Sequence, residues 1–560
     1  MIPTLRVLSL FRRAVLLVLV LSFAISSFAA TRPNIILVTL GSTRADRMGY
    51  LGAKNPTPAA DALAKQGVIF EHAYAQAPTT VVSIATLLSG TYPQTHGVSD
   101  LGAPLPNGLS FLPDLLHAHG YRTAAFIGSI ELDPRSGFAS GFDRGFEVYD
   151  AGFRPAGSGV PILDRPGTQM VARAATWITS SAKGPFFLWV HLADPATARG
   201  VGYDRAVAVA DAAVGKLISA LRAQKLFDDS LIILAADHGE SLGAHGEATH
   251  GVFLYDDAIR VPLLLKLPQN QMAGKRVRGR ARLLDAAPTI LEVAGIPGPS
   301  QMQGQSLLRM ARTNPDADQP AYSRADFSQQ AFGWSPLESW RSGKYLYIRA
   351  PQPELYDLSA DPGANHNLAG TSKAVLETLA SQLTSFTSRL GNPGTSSNAG
   401  LTSSEVQKLA SLGYVGVQKP ATAASSTVAG TDPKDGIATA NRVLAAWASV
   451  EQGHPEKAIP TLRELAKSQP GAYLAQYALG VALAQQGKEA EAVPFLHKAI
   501  EIHPDSAWAQ YWMGLSLLKT GDNKTAVVHL EIAATRLPEF APAQAALQQA
   551  RERIGRLQSR

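Results

Sequence analysis

Between Leu231 and Pro262 the chain reads LIILAADHGESLGAHGEATHGVFLYDDAIRVP, and the abrupt end of its apolar run narrows the choice of fold more than any other stretch. Leu231 to Ala235 is short, continuous and apolar, the pattern of a strand buried on both faces, as in parallel sheets covered by helices. Such sheets collect their chemistry at the carboxyl ends of strands, where Asp237 and His238 fall. Carboxylate oxygen and imidazole nitrogen together suit zinc or a similar divalent ion, with His245, Glu247 and His250 as further ligands or anion binders. Three histidines and five acids share this window. A solvated polar loop would need neither the buried strand before it nor paired ligand types.

At 560 residues the chain is too long for one core, so one large domain and at least one smaller one are expected. Cysteine is absent, which excludes a disulfide scaffold, thiolate metal sites and a cysteine nucleophile. Residues 1–30 carry Arg6, Arg12 and Arg13 ahead of the apolar run Ala14 to Ile25, then Ser27, Phe28, Ala29 in a small-x-small pattern. This reads as a secretory signal peptide, hence an exported, periplasmic or cell-envelope protein. An uncleaved anchor in the inner membrane is the alternative, although the run is shorter than the roughly 20 residues of a spanning helix. Without that segment the formal charge of +6 falls to +3, because three arginines and no acids leave with it. A nucleic-acid partner therefore has no support in the charge.

Mature sequence begins near Arg32 with the buried-strand run Asn34 to Leu40, followed by Gly41, Ser42, Thr43, Arg44, Ala45 and Asp46. A helix is expected over Pro58 to Gln66, with Thr57 as its N-cap. Ser83 to Leu88 look helical, which puts Thr79 or Thr80 at a helix N-terminus, where free amides and the dipole favour an oxyanion and ease ionisation of a hydroxyl. Phe111 to His119 and Tyr203 to Ala223 are further helices, Thr123 to Gly128 and Phe186 to His191 further strands, and Gly141 to Asp150 an irregular surface segment. Strands alternating with helices argue for an α/β layered domain with a largely parallel sheet. Three element ends deliver polar residues: Thr80, Asp194, and Asp237 with His238.

From Gly391 to about Asp435 the chain is rich in Ser, Ala, Gly, Thr and Pro, a linker with one helical patch at Ser403 to Leu412. Beyond it Pro470, Pro504 and Pro538 are 34 apart, as are Gly453, Gly487 and Gly521, and Ala458, Ala492 and Ala526. Ala446, Gly480 and Gly514 keep the same period. This is the register of tetratricopeptide repeats, an all-α solenoid closed by a helix over Ala541 to Leu557 and suited to a protein or peptide partner. The expected division is 1–30 signal peptide, 32–390 large α/β domain, 391–435 linker and 436–560 repeats.

From about Arg32 to Gly416 the chain resembles a bacterial sulfatase-family protein of the alkaline phosphatase superfamily. The resemblance rests on RPNIILVTL, APTT with TLLSGTYPQTHGV, HGYRTAAFIGS, FFLWVHLADP, ADHGESLGAHGE with THGVFLYDDAIRVP, LLDAAPTILEVAGIP, PELYDLSADP and KLASLGYVG. It implies an alkaline-phosphatase-like sheet, an ester substrate and a divalent metal of Ca or Zn type. It implies Asp237, His238 and Asp194 as metal residues, Thr80 as nucleophile with His250 assisting, and Ser83 and His245 near the substrate. Departures accompany it: Gly41 replaces a ligand aspartate, Val82 and Ile84 replace a proline and an arginine, and Ala196 replaces a histidine. Asp46 is the residue nearest the lost carboxylate. Two functions follow, a metal-dependent hydrolase of sulfate or phosphate esters with a Thr nucleophile, and a catalytically inactive pseudoenzyme acting with its repeats as a binding scaffold.

Overall fold

The computed structural model describes residues 32–558 apart from 55, 99–103, 137, 153–164, 182–183, 197–201, 314–315, 317, 391–401, 413–429 and 539. The N-terminal segment expected to be a signal peptide and most of the expected linker lie outside the described residues. Among the described residues no helix is long and apolar enough to cross a membrane.

Eight strands form the main sheet: β1 (Asn34–Leu40), β2 (Val68–Tyr74), β3 (Arg122–Ile127), β4 (Val148–Asp150), β5 (Phe186–Leu192), β6 (Ser230–Ala236), β7 (Arg260–Lys266) and β8 (Arg276–Arg282). Their order is β4-β3-β5-β1-β6-β7-β2-β8. The apolar runs of β1, β5 and β6 are buried almost throughout, as strands covered on both faces must be. β1 runs parallel between β5 and β6, with Leu40 level with Leu192 and Ala236. That register brings Gly41, Asp194 and Asp237 out of the sheet side by side.

The sheet is largely parallel, as expected, but β7 runs antiparallel to both β6 and β2. Three strands of this sheet, β2, β7 and β8, have no counterpart in the expectations. β8 alternates arginines with small residues at the sheet edge, so it lacks an apolar run, and β2 carries Glu71 and His72 in its middle. The segment expected to be irregular contains β4, paired with β3. Thr57 does not cap its helix: its hydroxyl accepts from the Gly49 amide and donates to Asp61.

The helices that matter to the site are α1 (Thr80–Ser89), α2 (Gly167–Ser181) and α3 (Tyr203–Ala223). A smaller antiparallel sheet follows, β9 (Ala321–Ala325), β10 (Leu337–Ser342), β11 (Tyr345–Arg349) and β12 (Glu354–Asp357), with α4 (Lys373–Thr387) against it. The helical patch of the linker is α5 (Ser403–Ser411), joined to the repeats by Lys408–Glu531 and Arg536–Glu405 ion pairs.

The repeats are three helix pairs, α6 (Pro433–Glu451) with α7 (Pro455–Ser468), α8 (Tyr473–Gln485) with α9 (Glu489–Ile502), and α10 (Ala507–Thr520) with α11 (Asn523–Arg536), closed by α12 (Ala541–Gln558). Their leading helices meet the α/β unit. Lys434 pairs with Glu354 at 2.8 Å, where Glu354 is 2% exposed in its side chain, and Glu354 also accepts from the Tyr255 hydroxyl. His503 and the Gln330 carbonyl stand 2.9 Å apart, and Trp508 stacks on Phe138 with centroids at 5.8 Å.

Candidate active site

Thr80 is the first residue of α1, and Thr79 ahead of it has extended backbone but makes no side-chain cap. The first amides of the helix are therefore free of a side-chain acceptor, the arrangement that favours an oxyanion. Thr80 Oγ1 lies 3.2 Å from His238 Nε2. His238 Nδ1 faces the Gly239 carbonyl at 2.8 Å, so Nδ1 carries the proton and Nε2 presents its lone pair to the threonine hydroxyl. Burial pushes this imidazole down to about 3, so it is neutral at ordinary pH.

Asp237 stands beside it, fully buried, with Oδ1 accepting from the Ser42 and His238 amides at 2.9 and 2.7 Å. Ser42 adopts φ 47, a strained turn that aims the end of β1 at this carboxylate. Asp237 Oδ2 has no hydrogen-bond partner, nor has the buried Ser42 Oγ. Burial raises the Asp237 carboxyl above its ordinary value, opposed by His191 and by the bonds it accepts.

His250 completes the group, its ring centroid 4.3 Å from that of His238 and its Nδ1 2.9 Å from Glu240 Oε2. Burial alone would lower His250, but Glu240 first, with Glu131 and Glu247 behind it, raises it to about 9. The site thus pairs one neutral and one protonated histidine. Two of its acids were not anticipated. Glu240 sits within the Asp-His-Gly-Glu run and signals itself only by proximity in sequence. Glu131 follows β3 in a turn and faces Thr80, Asp237 and His250. A lone glutamate in a turn carries no pattern by which a sequence reader would find it.

Thr80, Asp237, His238 and His250 are brought together as expected, whereas Ser83, His245 and Asp194 are not. Ser83 Oγ donates to the Ala77 carbonyl at 2.8 Å, a bond across the helix start. His245, at φ 53, turns away and stacks on Tyr255 with centroids 3.5 Å apart. Asp194 accepts the Gly167 amide at 3.1 and 3.2 Å, pinned to the start of α2. A Cβ on Gly167 would stand 2.3 Å from Asp194 Oδ2, so that glycine lets the carboxylate approach. Glu247 is no ligand either: it accepts from Ser241 Oγ and the Val252 amide and braces the loop from within. Asp46 does not replace the carboxylate missing at Gly41, because it pairs with Arg44 through both oxygens.

The orphaned Asp237 Oδ2 is an atom a cation would satisfy, yet among the described residues no three His, Asp or Glu side chains converge to hold one. With glycine at position 41 and Asp194 committed elsewhere, the residues present do not assemble a shell for a divalent ion.

Residues 33–196 match the sulfatase family profile, and 245–389 match that of the N-sulphoglucosamine sulphohydrolase C-terminal region. Two tetratricopeptide-repeat profiles match 443–507 and 483–551. An ulvan-active sulfatase of Formosa agariphila is 27% identical over 411 residues, which cover 63% of this chain and 80% of that protein. The multifunctional alkaline phosphatase superfamily protein PehA of Trinickia caryophylli is 33% identical over 181 residues, 29% of this chain and 34% of its own length. The phosphonate monoester hydrolase of Agrobacterium radiobacter superposes with a TM-score of 0.54 at 20% identity, covering 64% of this chain and 96% of that one, a likeness of fold.

Proposed function

The chain belongs to the sulfatase family of the alkaline phosphatase superfamily, with tetratricopeptide repeats appended, and from that premise we propose that it is an exported hydrolase of sulfate or phosphate esters that uses Thr80 as nucleophile. The observation that carries this reading is the 3.2 Å approach of Thr80 Oγ1 to the lone-pair nitrogen of His238.

Thr80 Oγ attacks the sulfur or phosphorus and passes its proton to His238 Nε2. The bond to the departing alcohol breaks, and its oxygen takes a proton from His250, which Glu240 holds charged. The uncapped start of α1 supports the developing charge on the transferring group. Water then attacks the ester on Thr80 and gives its proton to the now neutral His250, while His238 returns its proton to the departing Thr80 Oγ, which restores both rings. A base depressed to about 3 is poorly matched to work at neutral pH, so turnover is slow.

The test is hydrolysis of aryl sulfate, aryl phosphate and aryl phosphodiester by the full chain and by Thr80→Val, which removes the hydroxyl and keeps the shape. The variant is expected to lose activity by at least about 10²-fold, the low end of what proton transfer at a positioned group supplies. Equal turnover in both proteins would sink the reading. Export is tested separately, by N-terminal sequencing of the mature protein.

A second reading, an inactive binding module, is favoured by the incomplete ligand set. Glu131, Asp237 and Glu240 also oppose the single cation of His250 where an anionic ester would enter. Gly41→Asp separates the two: activity appearing only in that variant identifies the native chain as the module.

A further inference from the structure

The loop that carries His250 is held from two sides. From within, Glu247 pins it through Ser241 and Val252. From outside, the repeats grip it: Asn441 on α6 donates its amide to the Gly246 carbonyl at 2.7 Å and accepts the Ala248 amide at 3.0 Å. Ile437, one helical turn earlier, faces Gly246, where a Cβ would stand 3.5 Å from its methyl group. Gly246 at φ 82 gives the backbone the bend that presents both peptide groups to one side chain. Gly246, Ala248 and Thr249 are exposed; the Thr249 carbonyl accepts the Ser241 amide at 2.7 Å, the Ala248 amide is met by Asn441, and His250 follows two residues after Ala248. The opposite rim is touched as well, since Phe138, seven residues beyond Glu131, stacks on Trp508 of α10.

We propose that Asn441 is a positioning residue of the catalytic site, its side-chain amide clamping the backbone at 246 and 248 so that His250 stands between Glu240 and His238, and that the site is complete only with the repeats docked. The placement of the loop stands on geometry alone, and its effect on turnover rests on the roles given above to Thr80 and His250.

The experiment uses the full chain with Asn441→Leu, which removes both bonds at similar volume, and Asn441→Asp, which keeps the acceptor for Ala248 and loses the donor to Gly246. Amide exchange is read at Ala248, and kcat and KM for an aryl ester are read in parallel. Asn441→Leu is expected to raise exchange at Ala248 about tenfold, the loss of a hydrogen bond of ordinary strength, with Asn441→Asp near wild type there. It is also expected to lower kcat while leaving KM nearly unchanged. Unchanged exchange at Ala248 in Asn441→Leu, with a normal thermal melt, overturns the clamp. Raised exchange with unaltered kcat overturns the positioning role. If no ester is turned over by any form, the proposed function fails while the exchange measurement still decides the clamp.

Discussion

Burial holds four histidines well below their ordinary value among the described residues: His96, His238 and His529 at about 3, and His191 at about 4. His96 shows how the fold keeps such a ring neutral, for its Nδ1 accepts the Val98 amide and its Nε2 meets Thr86 Oγ1 at 3.0 Å. In the unfolded chain each binds a proton near pH 6.5, so between that value and the folded one the unfolded state holds more protons. The contribution of these four rings is therefore full above about pH 6.5 and falls as the pH drops toward 3, by about 1.4 kcal/mol per unit for each histidine, whereas that of His250, raised to about 9, is full below about pH 6.5 and is lost as the pH rises. Calorimetric melts from pH 6.5 down to 4 should show a steep decline, and a flat profile there would contradict the burial. At this same scale Asp237 and His238 were legible because they are adjacent at a strand end. Asp194 was misread because its side chain answers to the start of a helix 27 residues earlier in the chain, a partner visible only in three dimensions.

Helix against helix, the 34-residue phase has a steric meaning. A Cβ on Gly480 of α8 would come within 2.6 Å of Leu496 on α9, and one on Gly514 of α10 within 2.5 Å of Leu530 on α11. Small residues at this phase let the paired helices touch backbone to side chain. Gly480→Ala is expected to cost about 1–3 kcal/mol through overpacking, read as a lower urea midpoint in a transition followed by helical circular dichroism. The elements with apolar runs or helical period were readable from the chain alone. β8 was not, because its inward positions Val277, Gly279 and Ala281 alternate with arginines and are mostly too small to mark an apolar face, and neither was the reversed direction of β7, which pairing rather than composition decides.

Over the whole molecule the α/β unit and the repeats meet through fitted surfaces. Gly436 lies under the Trp334 ring, where a Cβ would stand 2.4 Å from the nearest ring carbon. Gly436→Ala is therefore expected to pry the two apart and split one melting transition into two, checked by calorimetry; a single unshifted transition would show the contact to be idle. The repeat architecture could be foreseen from its period, but which of its faces is occupied could not, since that depends on Asn441, Trp508 and His503 finding partners hundreds of residues away.

Because Asn441 already grips the bent backbone at 246 and 248 of its own chain, a peptide that approached this face of α6 would compete with a tethered occupant. Even a flexible linkage would hold such an occupant at an effective concentration of roughly millimolar order. A soluble peptide present at micromolar levels must then bind α6 about a thousandfold more tightly than the loop does before it displaces half of it. A weak binder would not reach that threshold.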